Sequence, residues 1–186
     1  MLANKIARSL NKLVIGSKSI WYKLFIGGIK ISFNSYIDSS VIFSFRKGCK
    51  VEIENKVNLA RNCTIKVRKY AYLHIGKGVS INSGCIIVAH DTIDIGEGTI
   101  VAQNVLFFDH DHTFISDGAI RKNSYKTAPI IIGKNCWIGA GCIILRGTYI
   151  GDNSIIGAGS VVKGIVPSNS KFYQKRLNDI KKIEDV

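Results

Sequence analysis

From Ile132 onward a branched aliphatic residue recurs at every sixth position: Ile132, Ile138, Ile144, Ile150, Ile156 and Val162. Four residues after each of the first five stands a small one: Cys136, Cys142, Thr148, Ser154 and Ser160. A period of six matches neither the 3.6 of a helix nor the alternation of an exposed strand. It is the period of a parallel β-solenoid whose coils are built from three short strands, the hexapeptide repeat. Coils stack as parallel strands, so each aliphatic lies over its equivalent in the next coil and fills a narrow prism. The small residue fits the tight corner, and glycine or asparagine nearby supplies the positive φ of a sharp turn.

The register extends upstream through Leu59 and Ile65, then Ile75, Ile81 and Ile87, then Ile95, Val101 and Phe107. The coil from Ile75 to Ile95 is two residues longer than eighteen, which predicts a bulged corner near His90 and Asp91. Val41, Val51 and Ile53 predict worn coils further back. After Phe107 the phase is lost until Ile132, which predicts a loop extruded from a corner at about 109–130. Long loops in compact domains are uncommon and often functional. The expected organisation is a basic amphipathic helical segment over 1–37, a solenoid over 38–167 and a helical tail over 168–186.

Composition agrees with a tightly turned all-β solenoid: 186 residues hold 18 glycines and only two prolines. The five cysteines include no CxxC pair, and Cys63, Cys85, Cys136 and Cys142 sit in the small-residue register. They read as reduced core fillers, not as a disulfide framework or zinc site.

The net charge of +13 is unevenly spread, which argues against nucleic acid as the partner. Residues 1–37 carry Lys5, Arg8, Lys12, Lys18, Lys23 and Lys30 and no acidic residue. Leu2, Ile6, Leu10, Leu13, Ile20, Trp21, Leu24 and Phe25 run among them near helical spacing. Such helices lie in the interface of an anionic membrane, or pack on the end of the solenoid and hide its apolar cap; the two roles are compatible. No stretch reaches the length of a spanning helix, and the apolar run at 13–15 is too short for a signal peptide. A cytoplasmic protein, peripheral at the inner face of the membrane, is expected. The basic stretch from Lys171 to Lys182 predicts a short helix capping the other end.

The segment Val105-Leu106-Phe107-Phe108-Asp109-His110-Asp111-His112-Thr113-Phe114 carries two of the four histidines, where the solenoid breaks into its loop. A neutral imidazole abstracts a proton from an alcohol near neutral pH, and an adjacent carboxylate fixes its tautomer. Read blandly, Asp and His are turn formers on a solvated corner. Their position beside a long loop on a rigid scaffold favours a site.

This segment, together with Ala128-Pro129-Ile130-Ile131-Ile132-Gly133, Trp137-Ile138-Gly139-Ala140-Gly141 and Ile156-Gly157-Ala158-Gly159-Ser160-Val161-Val162, resembles the left-handed β-helix acyltransferases. The similarity is to the branch of maltose and galactoside O-acetyltransferases and polysaccharide-modifying enzymes, and covers about residues 75–167. It implies a left-handed parallel β-helix, a homotrimer with sites in the clefts between neighbours, and acetyl-CoA as acyl donor with no metal required. It also implies a histidine general base acting on the acceptor hydroxyl, with direct attack on the thioester. Matched without gaps from Val105, the resemblance puts the catalytic histidine on His112, with His110 second as base or substrate contact. Asp109 orients a histidine or binds the acceptor, and Asn82 matches a polar corner that contacts sugar. Trp137, Gly139, Ala140 and Ala158 correspond to the wall along which pantetheine runs, and Lys163 to a CoA phosphate contact.

The chain departs from the branch at three points. Leu145-Arg146-Gly147 replaces the usual Leu-Pro-Gly. Lys163-Gly164-Ile165 follows Val162 where Thr-Lys-Asp is usual, and Phe172-Tyr173-Gln174-Lys175-Arg176 stands in place of Gly-Asn-Pro-Ala. The expected activity is O-acetylation of a sugar hydroxyl in cell-surface polysaccharide synthesis, on a lipid-linked or nucleotide-linked glycan. N-acetylation of an amino sugar is the near alternative. Two other classes use the same solenoid: a zinc hydratase, with His90 and His110 stacked at one corner and His112 nearby, and a non-catalytic scaffold with a basic surface.

Overall fold

The computed structural model describes residues 28–114 and 120–175, with backbone alone at 120–123. The described chain is a three-sided solenoid of parallel strands, as the hexad predicts. Its first and second sheets hold seven strands each and its third holds six, so six complete coils are followed by two strands of a seventh. A separate two-stranded antiparallel hairpin stands outside them.

The core is one continuous stack. Ile132, Ile138, Ile144, Ile150, Ile156 and Val162 are all buried, and so is the small register of Cys136, Cys142, Thr148, Ser154 and Ser160. The small polar members satisfy themselves on the backbone: Thr148 Oγ1 donates to Val162 O at 3.0 Å and Ser154 Oγ to Pro167 O at 2.9 Å. All five cysteines are free and buried. The corners follow the expected turn chemistry. Asn62, Asn104, Asn135, Asn153 and Asn169 have φ between 53° and 60°, where asparagine is tolerated. Asn135 Nδ2 donates to Asn153 Oδ1 at 3.4 Å and Asn153 Nδ2 to Asn169 Oδ1 at 3.2 Å, tying one corner from coil to coil.

Three expectations are corrected. The coils around Val41, Val51 and Ile53 are complete, not worn: Ile29 pairs with Val51 and Val51 with Leu73, each twenty-two residues on. The hexad is hidden there because one corner is enlarged. The solenoid also starts before residue 38, since Ile29–Ile31 and Tyr36–Ile37 are strands of its first coil. It continues past 167, since Lys171–Phe172 pairs with Ile155–Ile156. A strand wins at both ends because a neighbouring coil offers parallel hydrogen bonds and a buried slot. The remaining helical readings, with the signal-peptide reading, fall on 1–27 and 176–186, outside the described residues.

The corner joining the third sheet to the first varies along the axis. It holds Arg46–Cys49 in the first coil, Arg68–Ala71 in the second and only His90-Asp91 in the third. In the fourth coil it opens into the expected extrusion, a hairpin of His110–Phe114 against Ile120–Thr127. The next coil resumes at Ile130–Ile132, paired with Ile93–Ile95 as though nothing intervened.

Candidate active site

Asp109 ends the strand Leu106–Phe108 and begins the hairpin, yet its side chain has no exposed surface. A carboxylate survives there because donors surround it. The His90 N–H donates to Oδ1 at 2.8 Å and Oδ2 at 3.0 Å, and the Asp91 N–H to Oδ2 at 2.8 Å. The His110 ring contributes Nδ1 at 3.3 Å from Oδ1. An ionised carboxylate only accepts, so this contact assigns the proton to Nδ1 and leaves Nε2 of His110 as a basic lone pair. Of the two roles expected for Asp109, the contact with a histidine is the one its geometry offers, because its buried side chain presents no surface to an acceptor.

His110 is 13% exposed at its side chain. Its ring lies on the His90 ring at 3.7 Å between centroids, and Tyr125 of the hairpin packs edge-on to both, at 4.3 Å from His90 and 5.4 Å from His110. Burial first, and then the positive charge of a protonated His110, push the His90 imidazole down to about 4. His112 lies opposite Tyr125 in the hairpin register, exposed, with its ring 4.8 Å from that of Tyr125. Asp111 is tied to Arg146 of the following coil by an ion pair, which lowers its carboxyl below the ordinary range and anchors the hairpin base.

The remaining candidates divide between two corners. Asn82, Gly139, Ala140 and Ala158 share the corner between the second and third sheets. The Asn82 N–H donates to Val101 O, that of Ala102 to Ile138 O and that of Gly139 to Ile156 O, each within 2.9 Å. Asn82 is exposed but spends Oδ1 on the Ser83 N–H at 2.8 Å. Gly139 has to be glycine: a Cβ there would lie 2.6 Å from Ala158 N. Trp137, 53% exposed, stands on the second sheet beside this corner, a flat apolar surface beside small residues and backbone. Such a wall fits an extended, largely apolar pantetheine arm. Lys163 is on the other corner, following the strand Val161–Val162 of the third sheet, and its charge acts on Asp111. Within one chain, then, the histidine corner gathers His90, Asp109, His110, Arg146 and Lys163, and does not meet Asn82 or Trp137.

Sequence reasoning missed Tyr125, as well as Arg46 and Arg68, which line a groove of ≈ 970 Å³ with His90. Tyr125 left no signal, since a hairpin register is set by its turn. The arginines did leave one: Arg-Lys at 46–47 recurs at 68–69, and His-Asp follows at 90–91, each twenty-two residues on. Among the described residues no group of three or more His, Cys, Asp or Glu is arranged to hold a metal ion.

A family model described as bacterial transferase hexapeptide (six repeats) matches residues 129–164. The galactoside O-acetyltransferase of Escherichia coli K12 is 32% identical over 143 residues, 70% of this chain and 70% of that protein. The chain belongs to the hexapeptide-repeat acetyltransferases. A putative lipopolysaccharide biosynthesis O-acetyl transferase, WbbJ of E. coli K12, is 27% identical over 148 residues, covering 72% of this chain and 76% of that one. Among solved structures, a maltose O-acetyltransferase from Clostridium difficile 630 superimposes with TM-score 0.56 at 34% identity, over 70% of this chain and 68% of that one. A galactoside acetyltransferase solved with coenzyme A does so with TM-score 0.56 at 27% identity, over 92% and 72%. The left-handed β-helix, the hexad and the acyltransferase class of this acetyltransferase thus agree with one another.

Proposed function

We propose that this acetyltransferase transfers the acetyl group of acetyl-CoA to a sugar hydroxyl in cell-surface polysaccharide synthesis, with His110 as general base. The observation that carries the reading is the Asp109–His110 pair. A buried carboxylate holds Nδ1, and Nε2 has no hydrogen-bond partner among the described residues. His112, exposed on the hairpin and without a carboxylate contact among the described residues, is the weaker candidate for the base.

In the reaction, His110 Nε2 takes the proton of the acceptor hydroxyl as its oxygen attacks the thioester carbonyl carbon. Asp109 stabilises the imidazolium so formed. Backbone N–H groups of the cleft stabilise the oxyanion. When the carbon–sulfur bond breaks, the thiolate leaves and the imidazolium returns the proton to it. No enzyme nucleophile is required, and the five cysteines are buried in the core away from this corner.

Because Trp137, Gly139 and Ala158 stand at a different corner from His110, the reading is that the thioester wall of one copy meets the histidine corner of the next, in a homotrimer. The test is acetyl-CoA-dependent labelling of a panel of sugars and amino sugars by the purified protein, with mass spectrometry of the product. Ester formation that vanishes in His110→Ala supports the reading. Amide formation instead moves it to N-acetylation, and acetyl-CoA that fails to bind at all overturns it.

A further inference from the structure

The corner that carries His110 bears a ladder of cations on its N-terminal side. The Arg46 N–H donates to Val67 O and that of Arg68 to Ala89 O, so Arg46, Arg68 and His90 are successive rungs, and His110 stacks on His90. Lys47 and Lys69 follow the arginines one residue on, forming a second column. The two extra residues that enlarge this corner in the first two coils, compared with the third, make room for these Arg-Lys pairs. Arg46, Lys47, Arg68 and Lys69 line the ≈ 970 Å³ groove together with His90 and Tyr125. Tyr70, 79% exposed and held at φ 67°, walls its side, with Lys69 Nζ 4.7 Å over the ring.

Among the described residues none of these four cations forms an ion pair. Coils are roughly 4.8 Å apart, so like charges face each other one rung away and repel. The contrast within the same corner is informative. On the C-terminal side Arg146 is neutralised by Asp111, whereas on the N-terminal side the charges accumulate uncompensated beside the histidines. Clustered arginines at the mouth of a groove suit a multiply charged phosphate, which guanidinium groups grip in pairs. Arg68 is one rung, about 5 Å, and Arg46 two rungs, about 10 Å, from His90. A sugar whose hydroxyl meets His110 and whose anomeric carbon faces the N-terminal end of the solenoid has its anomeric substituent within reach of the arginines.

We propose that the acceptor is a glycosyl diphosphate, and that Arg46 and Arg68, with Lys47 and Lys69, hold its diphosphate while the sugar reaches His110. This rests on the reading of the His110 corner as the site of acetyl transfer, and it adds a chemical class for the acceptor. The same chemistry occurs on a nucleotide carrier and on a polyprenyl carrier.

The deciding experiment is calorimetric titration of the full-length protein, saturated with CoA, with inorganic pyrophosphate. One pyrophosphate per chain is expected, with affinity at least tenfold weaker in the Arg46→Ala/Arg68→Ala variant and CoA affinity unchanged. The Lys134→Ala/Lys171→Ala variant, which removes two charges away from this corner, should bind pyrophosphate as the wild type does. The proposal is overturned if CoA excludes pyrophosphate, if the arginine variant binds it normally, or if both variants weaken it equally. Acetyl transfer to a hexose, its 1-phosphate, a UDP-hexose and a short-chain prenyl-diphosphate hexose then separates the carriers. A kcat/KM that rises with either diphosphate supports the site and names its source, and one highest for the free hexose sinks it. Failure of CoA to bind wild-type protein would instead count against acetyl transfer itself, while pyrophosphate titration without CoA would still decide whether the anion site exists.

Discussion

His110 lies face to face with His90, their ring centroids 3.7 Å apart and their planes within 18° of parallel. Two imidazoles in such contact cannot both carry a proton cheaply, because like charges at that distance repel. Burial is the larger cause of the lowered pKa at His90, and the two rings differ in their contact with Asp109: its carboxylate touches the His110 ring, whereas only the backbone N–H of His90 reaches it. His90 stays neutral near pH 7, and its ring packs flat against that of His110.

Replacing His110 with alanine is expected to lower kcat by roughly 10²–10⁴-fold. His112→Ala is expected to cost far less, since that ring stands on the exposed hairpin beside Tyr125. Steady-state kinetics with acetyl-CoA on both variants decides; the opposite ranking would hand the base to His112.

Asp109→Asn should affect both folding and catalysis. An amide supplies one acceptor oxygen where the carboxylate serves the N–H groups of His90 and Asp91 and Nδ1 of His110. Leaving a buried donor unmatched costs about 1–3 kcal/mol, measurable by denaturant unfolding. The imidazolium of the proposed mechanism also loses its counter-charge, so kcat should fall while the KM for acetyl-CoA holds. A loss of stability with kcat unchanged would make Asp109 purely structural.

His90 links stability to pH. Its pKa falls from 6.5 to about 4 on folding, mainly through burial, so between those values the unfolded chain binds more protons than the folded one. Stability held above pH 6.5 is therefore lost progressively as pH drops toward 4. Thermal unfolding at pH 7 and pH 5 should give a smaller difference in Tm for His90→Gln than for wild type.

Ile138→Ala should destabilise by about 2–5 kcal/mol, because the isoleucine is wholly buried between Val101 and Ile156 in a stack that leaves a cavity when cut. Unfolding in guanidinium measures it, and a change under 1 kcal/mol would mean that the neighbouring coils close the gap.

Residues 1–27 carry Lys5, Arg8, Lys12, Lys18 and Lys23 among large apolar residues and no acid. We expect the full chain to co-sediment with anionic phospholipid vesicles at low salt and to be released at high salt. Absence of binding at low salt would remove the physical support for a membrane-peripheral role.

The amino-acid pattern by itself determined the architecture. A six-residue period of branched aliphatics admits one solution, a three-sided solenoid, because strand alternation and two-residue corners repeat with that period. It likewise determined the cysteine role, the asparagine corners and the extrusion after Phe107, whereas the bulge expected near His90 and Asp91 is a plain two-residue corner, the extra residues lengthening the strands Ile86–Ala89 and Thr92–Ile95 on either side. What the pattern did not carry was the contact between rungs. The first two coils look worn in the sequence because twenty-two-residue turns break the hexad at one corner while keeping their inward residues buried, Val51 and Ile53 among them. Only stacking brought His90 onto His110, closed Asp109 under both, laid Tyr125 across them and lined up Arg46 and Arg68 beside them. It also placed Lys163 at a different corner from Trp137 and Gly139, which the family resemblance had grouped as contacts of CoA. The physical reason is that the solenoid's chemistry runs parallel to its axis, between residues about a coil apart in sequence. The intervals there vary with the size of each corner, so the columns exist only once the coils are stacked.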